Sequence, residues 1–168
     1  GVKRFDVMFN DFVILGPKSD PAKVKGLKDV TLGLAQISNK KASFISRGDD
    51  SGTHKKELNL WKNAGIALNK DQTWYRESGS GMGATLNIAA GMGAYVMSDR
   101  ATWIAFKNKA NLEILIEGDK RLFNQYGVIL VNPEKHKNVK AELGQTFIDW
   151  LIGAKGQAAI KAFKVGGK

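Results

Sequence analysis

The chain has 168 residues, a formal net charge of +10, 43% hydrophobic and 25% charged residues, no cysteine and two histidines. Those values fit one compact domain, or one lobe plus part of another, and exclude an intrinsically disordered chain. They also exclude disulfides and thiolate metal sites, leave only His54 and His136 for a zinc site, and provide no apolar run near the ~20 residues of a membrane span.

In chain order, residues 12–15 read as a short apolar strand ended by Gly16-Pro17. Asp29 or Thr31 is expected to cap a helix through Ile37, which Gly33 weakens. Residues 44–46 form a strand, and residues 53–63 a helix with Leu58 and Trp61 inward, closed by Gly65. Residues 73–76 are strand-like, and residues 83–90 are helical until Gly91 breaks the pattern. After a strand over residues 95–97, Asp99 caps a helix carrying Trp103 and Phe106. Residues 112–116 and 125–131 are strands. Val139, Leu143, Phe147 and Leu151 repeat at i, i+4, the apolar face of the strongest helix in the chain. Gly153 interrupts it, and residues 158–163 form a shorter helix. Strand–helix alternation of this kind predicts an α/β fold with a parallel or mixed sheet.

The most informative segment is Arg47-Gly48-Asp49-Asp50-Ser51-Gly52-Thr53, which opens the helix over residues 53–63. Ser51 is a good N-cap, and Gly52 lets a ligand approach the backbone without meeting a Cβ. The first amides of a helix have no intrahelical partner and carry the positive end of its dipole, so they hold anions. Arg47 adds a forked, permanently charged grip on the same oxygens. The plainer reading is an arginine paired with Asp49 or Asp50 beside an ordinary capped helix.

Glu77-Ser78-Gly79-Ser80-Gly81-Met82-Gly83 repeats the device, a small-residue loop running into a helix. By itself it also fits a flexible turn, because bare glycine-rich matches are common. Together the two loops suggest two sets of amides converging on one ligand. The predicted contacts are Arg47, Ser51, Gly52 and Thr53 from the first loop, and Ser80, Gly81 and Met82 from the second. The Thr53 and Ser80 hydroxyls are the expected side-chain donors. Asp49 would repel a bare dianion unless it pairs with Arg47 or the helix amides.

These motifs resemble the tungstate-binding proteins of bacterial ABC importers, which are type II periplasmic binding proteins. So do Asn10-Asp11-Phe12-Val13-Ile14-Leu15-Gly16-Pro17, Trp74-Tyr75-Arg76, residues 95–103 and Tyr126-Gly127-Val128-Ile129-Leu130-Val131-Asn132-Pro133. The similarity runs in order through nearly the whole chain. The Arg-x-Asp-x-Ser-Gly-Thr pattern also resembles the anion loop of phosphate-binding periplasmic proteins. The resemblance implies an α/β, type II periplasmic-binding-protein-like fold with one lobe essentially complete and part of the other. Residues 9–118 would be the second lobe with the anion loops. Residues 1–8 and 119–168 would be hinge segments and the C-terminal portion of the first lobe.

The implied function is a non-enzymatic receptor that captures a tetrahedral oxyanion, tungstate and then molybdate, and needs no cofactor. Its partner would be the membrane permease of an importer, and its place periplasmic or extracytoplasmic and membrane-anchored. Such receptors begin with a strand and a Thr/Ser-rich loop that this sequence lacks, so the resemblance implies a missing N-terminal part and a missing wall of the site. Weak anion affinity and a homodimer of the chain are therefore expected.

Three other readings compete. A phosphate- or sulfate-type anion-binding protein uses the same loop chemistry. Gly79-Ser80-Gly81-Met82-Gly83-Ala84 satisfies Gly-x-Gly-x-x-Ala of a dinucleotide-binding enzyme, with Asp99 downstream as the ribose acid. Against it, the strand before this loop is polar where a central parallel strand is apolar. A hydrolase built on Ser51, His54 and Asp50 lacks any nucleophile elbow. The lysines are scattered and carry no interleaved aromatics, so a solvated basic face is expected rather than nucleic-acid binding.

Overall fold

The structure, a computed structural model, describes residues 1–69 and 71–164. The chain divides into two compact units, one of Asp11–Phe123 and one of Gly1–Asn10 with the chain from Asn124 onward. The expected C-terminal portion over 119–168 ends in residues 165–168, which lie outside the described residues.

The larger unit is a mixed sheet with helices on both faces. Its strands are β1 (Arg4–Pro17, from Asp11 onward in this unit), β2 (Phe44–Ser46), β3 (Tyr75–Glu77), β4 (Tyr95–Asp99) and β5 (Leu112–Ile116). They lie in the order β3-β2-β4-β1-β5. β2 runs parallel to both neighbours, pairing Ser46 with Glu77 on one side and Phe44 with Tyr95 on the other. β1 is antiparallel to β4 and β5, with a bulge between Ile14 and Leu15 on the β5 side.

Side-chain alternation sorts these strands into two cores. Phe12, Ile14, Phe44, Tyr95 and Met97 face one way, toward Leu34, Ile37, Leu60 and Trp61 of helices α1 (Val30–Asn39) and α2 (Gly52–Asn63). Val13, Leu15, Ile45 and Val96 face the other, toward Met82, Leu86, Ala89 and Trp103 of α3 (Met82–Met92) and α4 (Arg100–Ala105). Both cores are continuous because the strand residues between Asp11 and Gly16 are apolar on both faces.

The caps explain the helix boundaries. Asp29 accepts from the amides of Thr31 and Leu32 at the start of α1, and Asp99 accepts from Thr102 at the start of α4. Ser51 caps α2 by accepting from the His54 amide, at 3.3 Å. Two expectations for these helices need correction. Leu58 is exposed, and the inward face of α2 is instead His54, Glu57, Leu60 and Trp61. Gly91 does not break α3, which runs on to Met92 and ends at Gly93 with φ +58°.

The other unit contains the first residues of β1 paired with β6 (Phe123–Ile129), then α5 (Ala141–Ile152) and α6 (Ala154–Ala162). Gln157 Nε2 donates to the Val7 carbonyl at 3.1 Å, and Gln125 Nε2 to the Met8 carbonyl at 2.9 Å. Of the expected apolar face of α5, Val139 lies before the helix, Val139 and Leu151 are half-buried, and the other two residues face solvent. Leu143 and Phe147 are 66% and 57% exposed, while Ile148 is the buried residue of that helix.

Candidate functional site: two helix N-termini joined by an arginine loop

β2 and β3 are parallel neighbours, so their C-terminal ends deliver both small-residue loops to the same edge of the sheet. That edge, beyond the carboxyl ends of parallel strands, is where α/β sheets bind ligands. The loops are tied to each other. The amide of Ser78 donates to the Ser46 carbonyl at 2.9 Å, and that of Ser80 to the Arg47 carbonyl at 3.2 Å. Ser78 Oγ also donates to the Arg47 carbonyl, at 3.1 Å, and lies 2.8 Å from Thr85 Oγ1. Thr85, one turn into α3, donates back to the Gly81 carbonyl at 3.1 Å. Sequence reading missed Ser78 and Thr85, although Thr85 four residues after Gly81 is at helical spacing for such a contact.

The arginine loop is wound tightly. Gly48 and Asp50 both take positive φ, +60° and +58°. Asp49 grips both sides of the turn, accepting from Arg47 Nη2 and, at 3.2 Å, from the Ser51 amide. The Ser51 hydroxyl foremost, and then Arg47, hold the Asp49 carboxyl down to about 2, so it stays ionised. Asp49 thereby orients Arg47 and spends its charge on it. Asp50 points outward to Lys55, at 3.2 Å, while its amide donates to His54 Nδ1 at 3.1 Å. That leaves His54 Nε2 as the protonated nitrogen; it is buried and 3.6 Å from Glu77 Oε1.

The donors left over define what the site can do. The amides of Ser51 and Ser80, expected to face a ligand, are already given to Asp49 and to the Arg47 carbonyl. The Ser80 hydroxyl donates to the Ser78 carbonyl at 3.1 Å. Among the described residues, the amides of Gly52 and Thr53 in α2 and of Met82, Gly83 and Ala84 in α3 have no protein acceptor. α3 has Gly81 as its N-cap and no side chain closing its end. Arg47 Nε is buried without a partner. Gly52 and Gly81 are exposed, and Arg47, Ser51, Thr53 and Ser80 are half-buried. The Met82 side chain packs into the core, so its contribution is its amide. Two dipole ends, five open amides and a guanidinium on one edge suit a compact anion. Among the described residues no cluster of histidines and carboxylates suits a metal cation.

The chain is 48% identical over 162 residues to the tungstate-binding protein TupA of Peptoclostridium acidaminophilum, covering 95% of this chain and 56% of that protein. It thus spans about half the length of the curated relatives it matches. Among solved structures, the tungstate ABC transporter protein of Geobacter sulfurreducens is 47% identical with a TM-score of 0.85, over 97% of this chain and 68% of that one. The tungstate-binding protein TupA of Desulfovibrio alaskensis G20 is 45% identical with a TM-score of 0.82, over 99% of this chain and 68% of that one. The family model of the PBP superfamily domain matches residues 1–155, and the chain belongs to the PBP superfamily.

Proposed function

We propose that the chain is the ligand-holding part of an extracytoplasmic receptor that captures a tetrahedral oxyanion, tungstate first and molybdate next, for the permease of an ABC importer. The observation that carries this reading is the pair of open helix N-termini beside Arg47 at the end of two parallel strands. Backbone amides cannot ionise and carry no countercharge, so they select a fully deprotonated oxyanion over a cation or neutral solute. Arg47, held in place by Asp49, supplies guanidinium donors through its unpartnered Nε, and Arg47, Ser51, Gly52, Thr53, Ser80, Gly81 and Met82 form the loops that surround the anion. The names of the relatives, tungstate-binding in two genera and a tungstate importer in a third, support tungstate over other oxyanions.

The dinucleotide reading has less to rest on. β3 is a three-residue strand at the sheet edge with Arg76 and Glu77 exposed. Asp99, its ribose acid, is committed to Thr102 through both oxygens, at 2.8 and 2.6 Å.

Calorimetry on the full-length protein tests the proposal. Tungstate is expected to bind more tightly than molybdate, with sulfate and phosphate competing poorly. Arg47→Ala is expected to remove ~2–5 kcal/mol, the usual loss when one partner of a buried charge contact goes. Phosphate or sulfate outcompeting tungstate would move the assignment to those anions. Near-unchanged tungstate affinity in Arg47→Ala would overturn the site itself.

A further inference from the structure

Glu57 touches neither loop's open amides, yet it lies beneath both loops. It projects inward from α2, 1% exposed. Its Oε1 accepts from the Tyr75 hydroxyl at 2.8 Å and from Trp61 Nε1 at 3.2 Å, and the nearby Ser46 hydroxyl favours its ionised form. Tyr75 opens β3 and Ser46 closes β2, the two strands that feed the loops. Ser46 Oγ in turn accepts from the Gly48 amide at 3.3 Å, inside the arginine loop. One buried carboxyl thus ties α2 to β3, beside the Ser46 hydroxyl that ends β2 and holds the Gly48 amide of the arginine loop.

The charge around it is unbalanced. From β3 come Tyr75 and the like charge of Glu77, and from its own helix His54, which is turned toward Glu77. β2 offers only the Ser46 hydroxyl, the sequence of α1 carries no ionisable residue, and β4 turns the Tyr95 hydroxyl to Asp20 at 2.7 Å. Among the described residues no ion pair reaches Glu57. Burial therefore pushes its carboxyl up to about 7, against the pull of the Tyr75, Ser46 and Trp61 donors.

We propose that Glu57 is a positioning residue for the oxyanion site and couples its occupancy to a proton, so that capture of the anion draws a proton from solvent onto Glu57. The inference rests on the oxyanion reading of the two loops. Glu57 stands five residues after the first residue of α2, about 7.5 Å along the axis at the usual helical rise. At that range, inside the protein and out of reach of salt, an ionised carboxylate opposes an incoming dianion, and its protonated form does not. The sign follows: affinity is highest with Glu57 protonated and falls as pH rises through its titration near 7. The protonated carboxyl still accepts from Tyr75 and Trp61, so the loops keep their footing.

The test is tungstate affinity of the full-length protein from about pH 6 to about pH 8.5, either side of the Glu57 titration. The unsubstituted protein is expected to weaken about tenfold across that range, the effect of one unit of mutual pKa displacement. Glu57→Gln, which keeps the acceptor and cannot ionise, is expected to be flat and to match the low-pH affinity throughout. Tyr75→Phe removes a donor that favours the carboxylate, so the fall in affinity moves to higher pH. A merely structural role for Glu57 would move neither midpoint nor slope. A flat profile in the unsubstituted protein, or an unchanged slope in Glu57→Gln, overturns the inference while leaving the anion site in place. If Glu57→Gln does not fold, an unmoved midpoint in Tyr75→Phe overturns it. Absence of tungstate binding at every pH overturns the function and this inference together.

Discussion

At Gly48 two demands meet in one residue. Its φ of +60° disfavours any side chain, and a Cβ there would stand 2.4 Å from Glu77 Cβ and 3.2 Å from its Cα. The parallel register that sets Ser46 against Glu77 brings the loop this close. Gly48→Ala is therefore expected to push the arginine loop off β3 and cost ~1–3 kcal/mol, the usual range for strain plus overpacking. Urea melts read that cost, and tungstate titration reads the displaced Arg47. Gly52→Ala and Gly81→Ala are the matched controls, because a Cβ at either meets nothing within 4 Å. They should fold normally, so any affinity they lose reports crowding of the ligand rather than of the protein. Wild-type stability in Gly48→Ala would show that the loop can move freely. The sequence marks Gly48 as a loop glycine but cannot reveal Glu77 behind it, since the two are 29 positions apart and meet only through strand pairing. Asp49 is similar. The sequence leaves its role open between Arg47 and the helix amides, and the turn lets it serve both at once.

Among the elements, those with local signals were legible. β2 and β5 occupy the residues their apolar runs mark, and Asp29, Ser51 and Asp99 cap the helices they precede. Each signal is a short-range one, a run of β-branched or aromatic residues or a side chain that satisfies nearby amides. Legibility fails where the answer depends on which neighbour covers a face. In α2 the buried stripe passes through His54, Glu57 and Trp61, two polar residues and an indole, because Tyr75 donates to Glu57, Glu57 accepts from the Trp61 indole, and the Asp50 amide donates to His54 Nδ1. Leu58, an apolar residue by pattern, is left in solvent. β1 is 14 residues long, whereas its apolar run marks only residues 12–15. Its first part, Arg-Phe-Asp-Val-Met-Phe-Asn, alternates polar and apolar only as far as Val7, and it pairs with β6. The paired loops were legible as a candidate anion site from their glycines, serines and arginine. Their mutual hydrogen bonds through Ser78 and Thr85, and the carboxyl of Glu57 below, needed the sheet register to appear.

For the molecule as a whole, the two units differ in how well they hide apolar surface. The Asp11–Phe123 unit carries both cores. In the other unit Leu143, Phe147, Trp150 and Phe163 are 66%, 57%, 47% and 76% exposed, and the Phe147 and Trp150 rings stack on each other at 6.1 Å. Exposed apolar groups in such number favour association. We therefore expect the 168-residue chain to self-associate through α5 and α6, as a homodimer or larger, with light scattering showing a mass that rises with concentration. A monomer at every concentration would contradict that. The central claim is that one oxyanion sits between the open amides of α2 and α3 and is gripped by Arg47. The most direct measurement is a tungstate titration of the isotopically labelled chain followed through its backbone amide resonances. The account predicts saturable shifts concentrated at Gly52, Thr53, Met82, Gly83 and Ala84, with the Arg47 Nε proton moving alongside them. Saturable binding that leaves those amides unmoved and shifts resonances elsewhere would contradict it.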